Sequence, residues 1–234
     1  MFLIGIVVMR LVISGEYGFF VQQRMQIPLA VAGVLLLVFG VIELVAAFRS
    51  ESSDPEASTR SISPTVGWLL AAPLVVLLAV APAALGAAAA ERVDSIVPAE
   101  PSPSDDSLQA LDDSGGPVPL KVSDFLTRAI WDDTGSLIDT EVELEGLVVN
   151  ADEIDDGFWL TRFAVSCCAA DGLPLQVAIR GVEREFDNDE WVRVVVVWNE
   201  PPGGEYGPDD LIEARLVDIE VVENPPNDPY ESPF

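Results

Sequence analysis

Residues 140–149 read TEVELEGLVV, and this stretch decides the fold of the C-terminal half of the chain. Val142, Leu144 and Val148 alternate with the glutamates at positions 141, 143 and 145. Because successive side chains of a strand point to opposite faces, the pattern predicts a strand with one buried and one solvated face. Gly146 interrupts the pattern, and a glycine inside a strand commonly marks a bulge or the bend of a barrel.

Four more strands are predicted downstream, from runs rich in β-branched and aromatic residues that are bounded by turn residues. They cover residues 157–166, 173–179, 190–198 and 211–222. A short helix is predicted ahead of them at 122–131, with Ser123 as its N-cap. Five short strands with a bend in the first favour a small closed barrel of the OB type. We therefore predict an OB-like five-stranded β-barrel domain with a short preceding helix over residues 120–234.

The acidic residues are segregated from the apolar ones. The formal net charge is −27, and 34 of the 39 acidic residues lie from Glu91 onward, with 8 of the 12 basic ones. This distribution predicts a transmembrane anchor over residues 1–90, an acidic disordered linker over 91–119 and the barrel. Such a charge repels phosphate backbones, so a nucleic-acid partner is not expected. The chain has no histidine, which excludes a Ser-His-Asp triad and an imidazole-ligated metal.

Two to three membrane spans are predicted in the anchor, so the lipid bilayer is an expected partner. The apolar runs 27–48 and 65–90 exceed the ~20 residues that cross a bilayer. The first apolar run can cross the bilayer only if its helix extends over residues 2–21, with Arg10 inside it. Alternatively, the natural start of the protein lies upstream. The second alternative is favoured, because no basic segment precedes the apolar residues. Glu43 is an intramembrane carboxylate that would pair with Arg10, bind a partner subunit, or reach the interface.

The arginines of the short loops predict the orientation. Arg49 and Arg60 fall in the loop 49–64, whereas Arg24 stands alone before the second run. The positive-inside rule then places 49–64 in the cytoplasm. The sequence therefore predicts a multi-pass protein of the cell membrane with an extracytoplasmic C-terminal domain.

Several short motifs carry a family resemblance. They are SDFL (123–126), VELEGLV (142–148), RFAVSCCAADGLPL (162–175), EWVRVVVV (190–197) and NPPNDPY (224–230). In this order the C-terminal domain resembles the YcgQ-like membrane subunits of two-component bacterial permeases. The resemblance implies a multi-spanning permease subunit as the partner. It does not identify a substrate. This chain departs from the family pattern in its short first run and at Gly172, where an alanine is common.

The only two cysteines, Cys167 and Cys168, are adjacent and three residues before Asp171. In a continuous strand their side chains would point to opposite faces, so they could share an ion only if the strand breaks there. The residues that follow favour such a turn. Three interpretations stay open: packing, a thiolate–carboxylate site for zinc or another thiophilic metal, and a redox pair or vicinal disulfide. Arg162 is expected to be exposed on the solvent face.

Two functions are compatible with these patterns. The first is a non-enzymatic accessory subunit of a permease, whose external barrel captures substrate or gates the partner. The alternative is a stand-alone membrane-anchored protein that handles metal or thiols through its cysteine pair. An enzyme is not expected, because the scattered surface carboxylates form no acid–base constellation.

Overall fold

The computed structural model describes residues 2–50, 85–101, 108–112, 114–201, 206, 211–223 and 228–232. Contacts between residues divide the chain into two compact units, Met1–Ala84 and Leu85–Phe234. Residues 51–64 of the predicted loop 49–64 and the first twenty residues of the predicted span 65–90 lie outside the described residues, whereas residues 49 and 50 belong to a helix. The last six residues of that span, 85–90, belong to the second unit.

Two antiparallel helices form the described part of the first unit, α1 (Phe2–Ser14) and α2 (Gln26–Ser50). Their backbones approach closely at small residues, as is common for apolar helix pairs. A Cβ atom at Gly40 would lie 2.6 Å from the Cα of Phe2. This contact places the start of α1 beside the second half of α2.

The first helix does not continue to residue 21. It ends at Ser14, and Gly15 follows in the left-handed conformation with φ 80°, before a short 3-10 helix, Glu16–Phe19. Thirteen helical residues rise about 20 Å, less than the ~30 Å hydrocarbon core. Among the described residues one helical stretch is long and apolar enough to cross a membrane. It covers Gln23–Ala46 and includes most of α2. Its length and composition suit a membrane span and a signal sequence equally well.

The second unit contains the predicted barrel. After α3 (Ala87–Ala90) and α4 (Val122–Trp131), its long strands are β2 (Glu141–Val149), β3 (Gly157–Ala164), β4 (Leu173–Arg180), β5 (Trp191–Asn199) and β6 (Glu213–Val221). They pair in the order β2-β5-β6-β4-β3, and a β2–β3 pairing closes the ring. Only β4 and β6 run parallel within it. The five-stranded closed barrel and its preceding helix are confirmed.

The bend predicted at Gly146 lies where β2 changes partners. Residues 141–147 pair with β5, whereas residues 147–149 pair with β3. A Cβ atom on Gly146 would lie 2.9 Å from the carbonyl oxygen of Thr161, so glycine permits the close approach of β3. This change of partner closes the barrel.

Two more strands of two residues each extend the sheet. β1 (Val118–Pro119) runs parallel to β2, and β7 (Tyr230–Glu231) runs parallel to β3. Helix α4 and the barrel interior share the main core. A second apolar cluster, which includes residues of α3, β3 and β7, comprises Ala87, Ala90, Leu147, Val149, Phe163, Val165 and Tyr230.

The expectation that Arg162 is solvent-exposed is wrong. Its exposed fraction is 9%, and its guanidinium lies 5.1 Å from the centre of the Trp191 ring. Its Nη2 donates to the carbonyl of Asp228 at 3.0 Å, and its Nε lies 3.5 Å from the carboxylate of Glu231. Burial lowers the pKa of Arg162, which the charge of Glu231 opposes. A buried cation requires such a partner.

Ser123 is not the N-cap of α4. The helix begins at Val122, after Lys121, whose side chain caps nothing. The first helical N–H groups instead donate to the carboxylate of Glu231, at 3.0 Å from Val122 and 2.8 Å from Ser123. A carboxylate is well suited to this position, because it satisfies unpaired N–H groups at the positive end of the helix dipole.

Candidate functional site

The two cysteines lie in a turn between β3 and β4, which we call the cysteine turn and define as residues 166–172. β3 ends at Ala164, and a short 3-10 helix, Ala169–Asp171, follows the cysteines. The predicted turn is therefore present. It breaks the strand geometry that would have separated the two thiols.

The side chain of Asp171 holds the cysteine turn together. Its Oδ1 accepts the N–H of Ser166 at 2.9 Å, and its Oδ2 accepts the N–H of Cys167 at 2.9 Å and that of Cys168 at 3.5 Å. In return, the N–H of Asp171 donates to the carbonyl of Cys168 at 2.9 Å. Asp171 is thus the residue that fixes the backbone of both cysteines.

This backbone arrangement brings the two sulfurs to the same side of the turn. The Sγ atoms of Cys167 and Cys168 are 3.7 Å apart. Both sulfurs and a carboxylate oxygen of Asp171 lie within 4.8 Å of one another. Cys167 is exposed and Cys168 is partly exposed, so the group is accessible from solvent. The three residues proposed from sequence therefore form one cluster.

The carboxylate controls the protonation of the first thiol. The hydrogen bond with Asp171, followed by the neighbouring Cys168, raises the pKa of Cys167 from 9.0 to about 11. The same hydrogen bond and the three backbone N–H groups lower the pKa of Asp171. At neutral pH the cluster therefore holds an ionised carboxylate beside a protonated Cys167. This is the opposite of a reactive redox cysteine, whose pKa is lowered by cationic neighbours.

Replacing the carboxylate should make Cys167 more reactive. In Asp171→Asn the pKa of Cys167 should fall towards 9.0, which increases the thiolate fraction at pH 8. Since a less basic thiolate is also a weaker nucleophile, we expect alkylation by iodoacetamide to accelerate only about tenfold. Mass spectrometry of the labelled peptide measures this rate. Asp152→Asn, in an exposed loop, is the matched control, and equal rates in both variants would contradict the prediction.

The donor set of this cluster suits a thiophilic cation. Two thiolates and a carboxylate are ligands that zinc accepts. An ionised carboxylate has about four lone-pair sites, and the three backbone N–H groups leave capacity for a metal. Three protein ligands leave a fourth tetrahedral position open. The site is thus able to hold an ion without enclosing it.

Sequence reasoning missed the residues that support the cysteine turn from elsewhere in the chain. The N–H of Val165, just before the turn, donates to the carbonyl of Glu231 at 2.9 Å. Leu85 packs against the second apolar cluster and lies against Gly172 of the turn. Both supporting segments are too short to show a periodic pattern, so nothing in the sequence signals them.

The two predicted residues of the anchor are not brought together. Arg10 follows Met9, whose side chain lies against Gly33. Glu43 is three residues beyond Gly40, which lies against Phe2 at the other end of α1. Both side chains are exposed. A role for either in binding a partner remains a prediction.

The acidic run 152–156 forms the loop between β2 and β3, as the sequence predicts. Asp156 accepts from Arg180 Nη1 at 3.2 Å and from the N–H of Gly181 at 3.3 Å, so this carboxylate serves the loop structure. An open cleft of about 800 Å³ lies between this loop and residues 182–190. Neither cysteine lines this cleft.

The comparisons with known proteins concern the barrel. No curated protein and no solved structure matches the chain. Residues 119–227 match the model of one protein family, so the barrel of this chain is similar to the DUF1980 C-terminal domain.

Proposed function

We propose that this protein is a non-enzymatic accessory membrane subunit whose barrel captures a thiophilic metal ion, such as zinc, for a partner permease. The cysteine turn is the capture site, with Cys167, Cys168 and Asp171 as ligands. The resemblance of the motifs to YcgQ-like permease subunits supports the partner. The bias of the loop arginines supports an extracytoplasmic barrel.

One observation carries the metal proposal, the 3.7 Å between the two sulfurs. Two thiolates bound to a tetrahedral zinc at about 2.3 Å lie about 3.8 Å apart. A disulfide instead needs about 2.0 Å between the sulfurs. The turn therefore places the sulfurs close to the separation that a shared metal requires, which lowers the cost of ordering the ligands when the ion binds.

The open fourth position supports capture over permanent storage. Structural zinc sites are closed by four protein ligands, whereas sites that exchange ligands keep a position open. An ion held by three ligands on an exposed turn would pass to a partner that supplies additional ligands. The net charge of −27 also attracts cations to the surface.

Zinc binding tests this proposal. We expect the full chain in mild detergent to bind one zinc ion in competition with a chromophoric chelator. The Cys167→Ser/Cys168→Ser variant should bind at least about a hundredfold more weakly, because the thiolates supply most of the affinity for a soft ion. Calcium, a hard cation, should not compete. Equal zinc affinity in the double variant and the unmodified chain would contradict the proposal, as would no binding in either.

Copurification separates this function from its alternative. An accessory subunit should bring down a multi-spanning membrane protein when the full chain is isolated from native membranes in mild detergent. Mass spectrometry would identify that partner. A chain that binds zinc but elutes alone, as a monomer, would favour a stand-alone metal-handling protein.

A further inference from the structure

We infer that residues 85–90 act as a docking segment that controls the affinity of the cysteine turn, so that ion binding and docking stabilise each other. This inference concerns the regulation of the same site and rests on the proposed function. The docking segment consists of Leu85, Gly86 and the short helix α3. In the sequence it forms the last six residues of the apolar run 65–90, which is predicted to be a membrane span.

The first step is the contact between the docking segment and the cysteine turn. A Cβ atom at position 172 would overlap the side chain of Leu85. Gly172 therefore leaves the space that Leu85 occupies, immediately after the ligand Asp171. Ala169, in the same turn, and Leu85 both pack against the second apolar cluster. Leu85 thus lies against the C-terminal end of the cysteine turn, at Gly172.

The second step is the attachment of the segment to the barrel. The N–H of Leu85 donates to the hydroxyl of Tyr230 at 3.2 Å, and the N–H of Ala87 donates to Asp189 at 2.5 Å. Ala87 and Ala90 are buried against the barrel, with exposed fractions of 2% and 5%. The attachment thus includes two side-chain hydrogen bonds and the burial of two alanines, and Leu85 and Ala89 also pack against the second apolar cluster.

These observations together couple the segment to the site. The position of each sulfur depends on the turn backbone, and Leu85 packs directly on that backbone. When the segment leaves the barrel, Gly172 loses this support and the ligand geometry loosens. By linkage, an ion that prefers the supported turn also favours the docked segment, by the same factor. Movement of the segment would then release a captured ion.

The affinity test compares two leucine variants. In the full chain, Leu85→Ala should weaken zinc binding about tenfold, within the usual range of coupling between sites. Leu216→Ala, a similarly half-buried leucine that packs on the main core, should leave the affinity unchanged. If Leu85→Ala binds zinc as tightly as the unmodified chain, the coupling is refuted while the proposed function stands. If the unmodified chain binds no zinc, the proposed function fails as well.

Hydrogen exchange measures the reciprocal effect. Zinc should slow exchange at the amides of Leu85 and Ala87 about tenfold in the unmodified chain. It should have no such effect in Cys167→Ser/Cys168→Ser, which retains the docking segment but lacks the thiols. Exchange that is insensitive to zinc in a chain that binds zinc would overturn the inference. This readout also covers the case in which Leu85→Ala does not fold.

Discussion

Glu231→Ala should destabilise the barrel domain by about 3–5 kcal/mol, the cost of removing one partner from a buried ion pair. The substitution leaves Arg162 buried without its carboxylate. It also removes the acceptor of the first two N–H groups of α4, those of Val122 and Ser123. The Glu231 side chain is only 3% exposed, so water cannot replace these interactions without opening the structure.

Urea unfolding of the full chain measures this effect, followed by tryptophan fluorescence because Arg162 lies over Trp191. Glu220→Ala is the matched control, since its side chain is 71% exposed and pairs with Arg193 on the surface. Its loss should cost at most about 1 kcal/mol. The Arg162→Met/Glu231→Met pair should lose less stability than Glu231→Ala, because it leaves no unpaired buried charge. A Glu231→Ala variant within 1 kcal/mol of the unmodified chain would contradict the assigned role.

Zinc affinity should fall about a hundredfold when the pH is lowered from 9 to 7, because the Cys167 thiol must lose its proton to bind the ion. A zinc ion at the proposed site would bind the thiolate form of Cys167, and the hydrogen bond with Asp171 raises the pKa of this thiol to about 11. Below that pKa, binding must release the thiol proton, so each unit of decreasing pH costs about a factor of ten. The pKa of Asp171 is lowered, so this carboxylate stays ionised over the same interval and adds no pH dependence.

Isothermal titration in two buffers of different ionisation enthalpy would count the released protons directly. We expect at least one proton per zinc at pH 8. Cys167→Ser should lose that part of the proton release and of the pH dependence. An affinity that is flat from pH 7 to pH 9 would indicate that carboxylates alone hold the ion, which would contradict thiolate ligation.

The barrel could be predicted from sequence because its information is local. The alternation in β2 and the run of β5, which is apolar on both faces, are patterns of neighbouring residues only. For the same reason the predicted bounds of α4, 122–131, agree with the structure. The cysteine turn was also indicated locally, by the residues that follow Cys168. Its sulfur separation was not, because it depends on the hydrogen bonds that Asp171 makes.

The other features that the sequence did not indicate join distant parts of the chain. Arg162 reads as an oddity in an apolar strand, because its partner Glu231 lies in a strand of two residues. Glu231 also caps the N-terminus of α4, so the prediction of the nearby Ser123 as the N-cap was wrong. Leu85 was assigned to an apolar run and not to a contact with Gly172. Pairings of this kind leave no periodic signal.

The role of Glu231 has a consequence for how the domain is made. The hydrogen bond from Val122 to Glu231 spans 109 residues, and all five long strands lie between its ends. During synthesis, α4 and the strand with Arg162 leave the ribosome well before their shared carboxylate exists. Until Glu231 is synthesised, α4 therefore lacks its N-terminal cap and Arg162 lacks its carboxylate partner. Contacts of such long range also slow folding. Until that carboxylate is made, a chaperone or protease would meet the domain in this unpaired form.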